Sequence, residues 1–144
     1  MFIPWLAAAA LTAADRAAVL APVEATFAAL AAHDSQAVLA QTWGNGGTTT
    51  TTEKPDGTHT LRQMTWAQFA DALKPSAEVW EERLGDTILR VDGDIALVWG
   101  RYTFRIDGRV HHCGMDHFQL TRVEGQWKIT SLSWSSRTTG CPKD

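Results

Sequence analysis

The chain has 144 residues, of which 44% are hydrophobic and 20% are charged, and its formal net charge is −3. This length suits a single domain with one hydrophobic core. A slightly acidic chain without a basic cluster lacks the electrostatic footprint of a nucleic-acid binder, so no nucleic-acid partner is expected. Seven tryptophans are spread along the chain, and side chains of this kind fill cores or line apolar pockets.

The first fourteen residues, MFIPWLAAAALTAA, form an apolar stretch that ends in small residues. This pattern predicts a secretory signal peptide cleaved after Ala14, which makes the protein periplasmic or secreted and leaves residues 15–144 as its domain. The stretch is shorter than the about 20 residues that span a bilayer, so no membrane partner is expected. Because no Lys or Arg precedes it, the alternative is an N-terminal extension of the first helix in a cytoplasmic protein.

Three helices are predicted in the first half of the chain. Residues 15–32 carry apolar side chains at spacings of three and four, as an amphipathic helix does. Pro22 within this segment predicts a kink or a late start. A short second helix follows, with Asp34 or Ser35 as its N-cap. Residues 65–73 form the third, since Thr and Gln stand at capping-box spacing at its start.

The strands are predicted from β-branched runs and from turn sequences. Residues 48–52 are all threonine, a β-branched residue, and Lys54-Pro55-Asp56-Gly57 is a turn that leads to a returning strand at 58–63. Further on, Asp92-Gly93, Asp107-Gly108 and Glu124-Gly125 have the sequence of two-residue hairpin loops. They divide residues 78–137 into four long antiparallel strands. This order predicts an α+β fold, in which a curved, mixed or antiparallel sheet wraps around N-terminal helices.

The C-terminal half contains three segments, DGRVHHCGMDHFQL, GQWKITSLSW and SRTTGC. Together with the element order, they resemble the nuclear transport factor 2-like superfamily, over Asp15 to Cys141. That superfamily includes ketosteroid isomerase-like and SnoaL-like proteins, and the chain most resembles its lumazine-binding branch. The resemblance implies a cone-shaped fold with a pocket between the concave sheet and the helices, and a homodimer formed through the outer sheet face. It does not imply one activity, because the fold hosts isomerases, dehydratases, epoxide hydrolases and non-catalytic binders.

Hairpin loops of two residues fix the strand register, and side chains alternate between the two faces of a sheet. In this register Trp99 opposes Asp116, Arg101 opposes Gly114, and Asp116 opposes Ser133. One face then mixes apolar bulk with convergent polar groups, as ligand pockets do, and is predicted to be concave. Its members are Leu84, Asp86, Trp99, Arg101, His112, Asp116, Phe118, Leu120, Trp127, Ile129 and Ser133. The outer face is predicted to carry Val98, Tyr102, Phe104, His111, Cys113, Met115 and His117.

The segment HHCGMDH, residues 111–117, concentrates three histidines, a cysteine and an aspartate. Strand alternation separates them, because His112 and Asp116 share one face at a distance of about 13 Å and the others lie on the opposite face. Zinc needs three or four donors about 2 Å from one point, so no metal site is expected. Cys113 has a simpler partner in Cys141, and in an exported protein this pair predicts a structural disulfide.

Asp116 and His112 are the candidates for acid–base chemistry. Burial among apolar neighbours raises the pKa of a carboxyl group, and a carboxylate beside an apolar platform suits proton abstraction next to a carbonyl. The alternative is an internal ion pair between Asp116 and Arg101, with His112 bonded to a neighbour. The single tyrosine, Tyr102, is predicted on the outer face, so no oxyanion pair of Tyr and Asp is expected.

The leading hypothesis is therefore a small-molecule-binding pocket domain without a cofactor and without a demonstrated reaction. The ligand is expected to be a small hydrophobic or heteroaromatic molecule. Its predicted contacts are Trp43, Trp99, Arg101, Phe118, Trp127 and Ser133. The alternative is an enzyme of the isomerase or dehydratase type that uses Asp116 with His112. A third class is a dimeric interaction module whose cavity is filled by its own side chains.

Overall fold

The computed structural model describes residues 10–143, so most of the predicted signal segment lies outside the described residues. The described residues form three helices and six strands, in the predicted α+β order. These are α1 (Ala13–Ala31), α2 (Ser35–Gln41), β1 (Thr42–Glu53), β2 (His59–Thr65), α3 (Trp66–Ala72), β3 (Trp80–Asp92), β4 (Ile95–Ile106), β5 (Arg109–Val123) and β6 (Gln126–Arg137). In this part of the chain, no helix combines the length and the apolar character needed to cross a bilayer.

Side-chain caps set the start of each helix. α1 begins two residues earlier than predicted because Thr12 accepts a hydrogen bond from the Asp15 backbone N–H at 3.0 Å, in a capping box. The predicted cleavage point after Ala14 therefore lies in the first turn of this helix. Asp34 caps α2 by accepting from the Ala37 backbone N–H at 2.9 Å, and the predicted capping box of Thr65 and Gln68 starts α3.

The six strands form one sheet in the order β2-β1-β6-β5-β4-β3. β1 pairs with β6 in parallel, and every other neighbouring pair is antiparallel. The loops Asp107-Gly108 and Glu124-Gly125 are those predicted, whereas the first loop is Gly93-Asp94, because Asp92 pairs with Ile95. The predicted meander of four long strands is thus confirmed. The β1–β2 hairpin extends the sheet on the β6 side, where β1 pairs with β6.

A β-bulge in β5 changes the register that the loops alone predict. Arg105 pairs with Val110, but the next residue of β4, Phe104, pairs with His112. His111 is therefore an extra residue in β5, and every later pair between β4 and β5 is shifted by one position. The predicted pairs of Trp99 with Asp116 and of Arg101 with Gly114 are wrong. Asp116 instead opposes Gly100, and Gly114 opposes Tyr102.

This shift reverses the faces of β4. Val98, Tyr102 and Phe104 point into the fold and are only 0%, 3% and 9% exposed. Trp99 and Arg101 lie on the outer face, so their predicted place on the concave face is wrong. A second bulge, with Thr130 as the extra residue of β6, and a third at positions 85–86 of β3 have the same effect. They move Ser133 and Asp86 away from the concave face.

The hydrophobic core lies between α1 and the concave face of the sheet. Val19 and Val23 of α1 are almost fully buried against this face. The Phe27 ring meets the Phe118 ring edge-on, with 5.9 Å between their centroids. The buried members from the sheet and α3 are Trp66, Leu89, Ala96, Val98, Phe118, Leu120, Trp127, Ile129 and Leu132. This core fills one part of the cone and leaves the part beside Trp80 and Trp134 for a cavity.

The predicted disulfide joins Cys113 of β5 to Cys141, and their Cα atoms lie 5.6 Å apart. Cys113 is only 3% exposed, so the bond fastens the segment after β6 to the middle of the sheet. A disulfide of this kind is consistent with export from the reducing cytoplasm.

The outer face carries different residues from those predicted. Three of its expected apolar members, Val98, Tyr102 and Phe104, are buried inside the fold. The outer face carries Trp99, which is 42% exposed, together with Met115 and several hydroxyl side chains. Ile88, which is 52% exposed, pairs with Trp99 on this face, and the homodimer stays a prediction from the resemblance.

Gly114 lies where β5 and β6 come closest, because a Cβ atom at this position would meet the backbone carbonyl group of Ser135. We expect Gly114→Ala to lower the free energy of unfolding by about 3 kcal/mol, since backbone cannot move aside as a side chain can. Gly85→Ala is the matched control, because its Cβ would lie 3.7 Å from the nearest atom, the Arg101 carbonyl oxygen. This control should be neutral or stabilising by up to about 1 kcal/mol. Urea denaturation measures both; equal effects would contradict the close approach at Gly114.

Candidate functional site

A cavity of about 180 Å³ lies between α1, α3 and the concave face of the sheet. Its walls are mainly aromatic and aliphatic, and a few polar side chains converge on it. The lining residues are Thr26, Phe27, Leu30, Phe69, Trp80, Glu82, Tyr102, Phe104, His112, Asp116, Leu132 and Trp134. An apolar cavity with a small number of convergent polar groups is the usual form of a small-molecule site.

The register of the strands brings the polar side chains together. Glu82 of β3 opposes Phe104 of β4, which in turn opposes His112 of β5. These three residues therefore form one row across the concave face. Asp116 follows His112 by four residues on the same strand and faces the same side, because side chains alternate.

Glu82, which is partly buried, and Asp116, which is fully buried, form a carboxyl pair that we call the acid pair. Asp116 is only 2% exposed, and no N–H or hydroxyl group of the described residues donates to its Oδ2 atom. The Glu82 carboxyl group lies close enough to affect the pKa of Asp116 through a hydrogen bond. A hydrogen bond between two carboxyl groups requires a proton on one of them, because ionised carboxylates only accept.

Burial raises the pKa of Asp116 well above its usual value, and the charge of Glu82 and the hydrogen bond to Glu82 raise it further. Burial also raises the pKa of Glu82, although its hydrogen bond to Asp116 acts in the opposite direction. Groups coupled in this way lose their protons as a pair and not as separate residues. The acid pair therefore holds a proton to a higher pH than an exposed aspartate or glutamate does.

Tyr102 lines the same cavity, which corrects its predicted place on the outer face. Its phenol donates a hydrogen bond to the Ser135 carbonyl oxygen at 2.9 Å. Because Tyr102 is on β4 and Ser135 is on β6, the ring must cross β5, and it does so at Gly114, its cross-strand partner. Burial, and then the nearby charges of Asp116 and Glu82, raise the pKa of Tyr102. The phenol is therefore neutral, and its proton is directed to the backbone.

His112 forms an aromatic wall of the cavity. Its ring stacks on Phe104, with centroids 4.8 Å apart and planes inclined by 25°, and it meets the edge of Tyr102 at 5.6 Å. Burial, and then the charge of His111, lower the pKa of His112 to about 4. The imidazole is therefore neutral at pH 7, and it can accept or donate a proton at a ring nitrogen.

The structure does not form the ion pair between Asp116 and Arg101 that the sequence left as the alternative. Arg101 is exposed on the outer face, opposite Met115, whereas Asp116 faces the cavity. The physical reason is again the extra residue in β5, which exchanges the two faces of β4 relative to Asp116. Asp116 meets a second acid where a basic partner was considered.

The six predicted ligand contacts lie elsewhere than on this cavity. Trp99, Arg101 and Ser133 are on the outer face because of the bulges, and Trp43 is 51% exposed near the start of β1. Phe118 is fully buried in the core behind the cavity wall. Trp127 is also a core residue, with the Arg122 guanidinium 4.7 Å from its ring centre.

Sequence reasoning missed Glu82, Trp80 and Trp134, and it placed Tyr102 on the wrong face. The alternation of Trp80, Glu82 and Leu84 was the available signal, because residues two apart on a strand share a face. It would have distinguished Glu82 from the adjacent Glu81, which is not a lining residue. In residues 10–143, no three side chains of the types His, Cys, Asp and Glu are placed to hold a metal ion.

Comparison with known proteins reveals similarity in fold. No family model matches the chain, and no curated protein matches it significantly. A protein of unknown function with a cystatin-like fold from Nostoc punctiforme has a TM-score of 0.69 at 14% identity, over 90% of this chain and 96% of that one.

Two further solved structures are NTF2-like proteins. One, from Novosphingobium aromaticivorans, has a TM-score of 0.68 at 14% identity over 89% of this chain and 84% of that one. The other, of unknown function and from Silicibacter pomeroyi, has a TM-score of 0.61 at 20% identity over 88% and 99%. The fold is therefore NTF2-like, as the resemblance implied, and these similarities do not extend to the lumazine-binding branch.

The acid pair predicts how stability depends on pH. In the unfolded chain, aspartate and glutamate lose their protons near about pH 4. Above that pH the folded acid pair holds more protons than the unfolded chain, so the free energy of unfolding falls as the pH rises. His112 acts in the opposite direction, but its contribution changes only between its ordinary pKa of about 6.5 and its folded value of about 4.

Between about pH 4 and the pKa of about 7 that Glu82 has in the folded protein, we expect the acid pair to lower the wild-type free energy of unfolding by up to about 1.4 kcal/mol per pH unit for one proton. Asp116→Asn should flatten this slope, whereas Asp86→Asn, at an exposed position on β3, should leave it unchanged. Urea denaturation at a series of pH values measures the slopes. A wild-type slope as flat as that of Asp116→Asn would refute a protonated pair.

Proposed function

We propose that the protein binds a small hydrophobic or heteroaromatic molecule in the cavity that contains the acid pair. The observation that carries this proposal is a pair of carboxyl groups, those of Glu82 and Asp116, that line one aromatic cavity. Burying two acids is costly unless their hydrogen bonds are satisfied. A ligand with an acceptor group would offer a partner for the shared proton, in a place where water is replaced by aromatic rings.

The size of the cavity limits the ligand. A cavity of about 150 Å³ is large enough for benzene, and the cavity here measures about 180 Å³. A molecule with one substituted ring, or with two small fused rings, is therefore the appropriate size. A steroid-sized ketone, with four rings, exceeds this volume.

The lining indicates the shape and polarity of the ligand. Trp80 stands edge-on to Phe104 at 5.6 Å, and Phe69 meets Trp134 at 6.0 Å, so flat faces and edges of rings surround the space. Aromatic walls favour a planar ligand, because rings stack in offset or edge-to-face arrangements. A carbonyl oxygen or a ring nitrogen on that ligand would accept a hydrogen bond from the acid pair. Bicyclic heteroaromatics of the lumazine type satisfy both requirements.

Filling the cavity provides the test of binding. Leu30→Trp should place an indole ring in the cavity, and Leu97→Trp makes the same exchange on the outer face as the matched control. We expect one- and two-ring heterocycles to raise the melting temperature of the wild type and of Leu97→Trp. A ligand at a hundredfold excess over its Kd adds about 2.7 kcal/mol to the free energy of unfolding. Leu30→Trp should lose this stabilisation.

Two outcomes of the ligand screen would contradict the proposal. One is equal stabilisation of Leu30→Trp and the wild type, which would place the ligand elsewhere. The other is the absence of any stabilising compound, which would favour an interaction module whose cavity needs no ligand.

A second candidate function is acid–base catalysis of the isomerase or dehydratase type. It is favoured by a specific observation: His112 and both members of the acid pair line one cavity. A ligand carbonyl that accepts a hydrogen bond from the acid pair would become a better electron sink. His112, or the ionised member of the pair, could then remove a proton from the adjacent carbon.

Deuterium exchange provides the test of catalysis. Small cyclic ketones that bind should lose the protons next to their carbonyl group in D₂O, as followed by NMR. We expect Asp116→Asn to slow this exchange by roughly 10²- to 10⁴-fold, the contribution typical of a positioned acid or base. Asp86→Asn is the control. A ketone that binds the wild type but exchanges no faster than in buffer would leave the protein a binder without this chemistry.

A further inference from the structure

The bulge in β5 brings two consecutive histidines into contact. Adjacent residues of a regular strand point to opposite faces, which would separate His111 from His112. Because His111 is the extra residue of the bulge, its ring turns toward that of His112, and the ring centroids lie 5.1 Å apart. The two Nδ1 atoms are 2.8 Å apart, which is a hydrogen-bonding distance.

The two rings have different surroundings. His111 is exposed to solvent, whereas His112 is partly buried and lines the cavity. Phe104 supports both rings, since it stacks on His112 at 4.8 Å and meets the edge of His111 at 6.5 Å. The histidine pair therefore forms a continuous chain of ring nitrogens from the solvent to the cavity wall.

A hydrogen bond between two Nδ1 atoms couples the proton positions of the rings. One Nδ1 must carry the hydrogen, and the other must present its lone pair. When His111 donates, neutral His112 keeps its own proton on Nε2. When His112 donates, its Nε2 is unprotonated and can accept a proton.

We propose that His111 and His112 form a proton relay, in which His111 exchanges protons with solvent and His112 exchanges protons with the cavity. The inference rests on the proposed acid–base function of that cavity. In the inward direction, His111 takes a proton from water at Nε2 and passes its Nδ1 proton to Nδ1 of His112. His112 then releases its Nε2 proton into the cavity, to a bound ligand. One positive charge moves inward, and the reverse sequence restores both rings.

The other charged and titratable groups near His112 come from each neighbouring strand. Glu82 is contributed by β3, Tyr102 by β4 and Asp116 by β5. On β6, Arg137 is close enough for its charge to lower the pKa of Tyr102. The helices contribute Thr26, Phe27, Leu30 and Phe69, none of which titrates. The Tyr102 proton is held by the Ser135 carbonyl oxygen.

NMR of protein labelled with ¹⁵N in the histidine rings tests the relay without any ligand. In the wild type we expect a scalar coupling between the two Nδ1 atoms across their hydrogen bond. His111→Phe keeps an aromatic ring but removes the nitrogens. In this variant, exchange of the His112 ring proton with solvent should slow by roughly a hundredfold, the lower end of what a positioned proton carrier contributes.

Two further variants separate the relay from other roles. His117→Phe is the matched control, because His117 is on the same strand but packs edge-on against Trp99 of the outer face. In this variant, the His112 ring proton should exchange with solvent as fast as in the wild type. His111→Gln can donate to Nδ1 of His112 but cannot pass a proton on, so its exchange should be as slow as in His111→Phe. This variant also keeps the test open if the phenylalanine variant fails to fold.

The relay is refuted if the two Nδ1 atoms show no coupling, or if His111→Phe and His111→Gln exchange as fast as the wild type. Neither result bears on whether a ligand fills the cavity, which the Leu30→Trp comparison decides. Conversely, a relay that passes this test in a protein whose ketones show no deuterium exchange would overturn the catalytic proposal and leave the proton pathway standing.

Discussion

One extra residue in β5 determines which side chains meet inside this fold. Side chains of a strand alternate, so a shift of one position exchanges the two faces of everything that follows. At His111 this shift turns Val98, Tyr102 and Phe104 of β4 inward, and it turns Trp99 and Arg101 outward. The aromatic walls, the tyrosine near the acid pair and the absence of Arg101 from the cavity all depend on it. Bulges are often found where a strand must direct a side chain toward a site.

The acid pair shows what this arrangement does to the chemistry. Had Arg101 faced Asp116, the two would have formed an ion pair, and the aspartate would have been ionised and occupied. In the observed register, Asp116 meets Glu82 and aromatic rings, so a proton is retained where a salt bridge was considered. Burying the acid pair therefore lowers the stability of the fold. Arrangements of this kind are typical of functional sites, although structural networks also produce them.

Local signals in the sequence predicted much of the fold, because caps and hairpin loops act over a few residues. Thr65 with Gln68, Asp34, Asp107-Gly108 and Glu124-Gly125 all perform the predicted roles. The site was predicted less well, because it depends on register over long strands. Glycine within a strand often marks a bulge or a close approach, and Gly85 and Gly114 do mark such places. His111 and Thr130 carry no comparable signal. Asp116 and His112 were nevertheless placed on the cavity face, because the three bulges change which faces of the neighbouring strands meet β5 and leave the alternation of β5 from His112 onward intact.

Glu82 belongs to β3, which has a neighbouring strand on one side only. Edge elements open locally at a lower free energy than central ones. When β3 separates from β4, water reaches Glu82, the acid pair is divided, and the burial that held the proton is lost. Opening of the edge and release of the proton are then linked equilibria, so alkaline conditions favour the open form and acidic conditions the closed form. The carboxyl group that lines the cavity therefore links the stability of the sheet margin to pH.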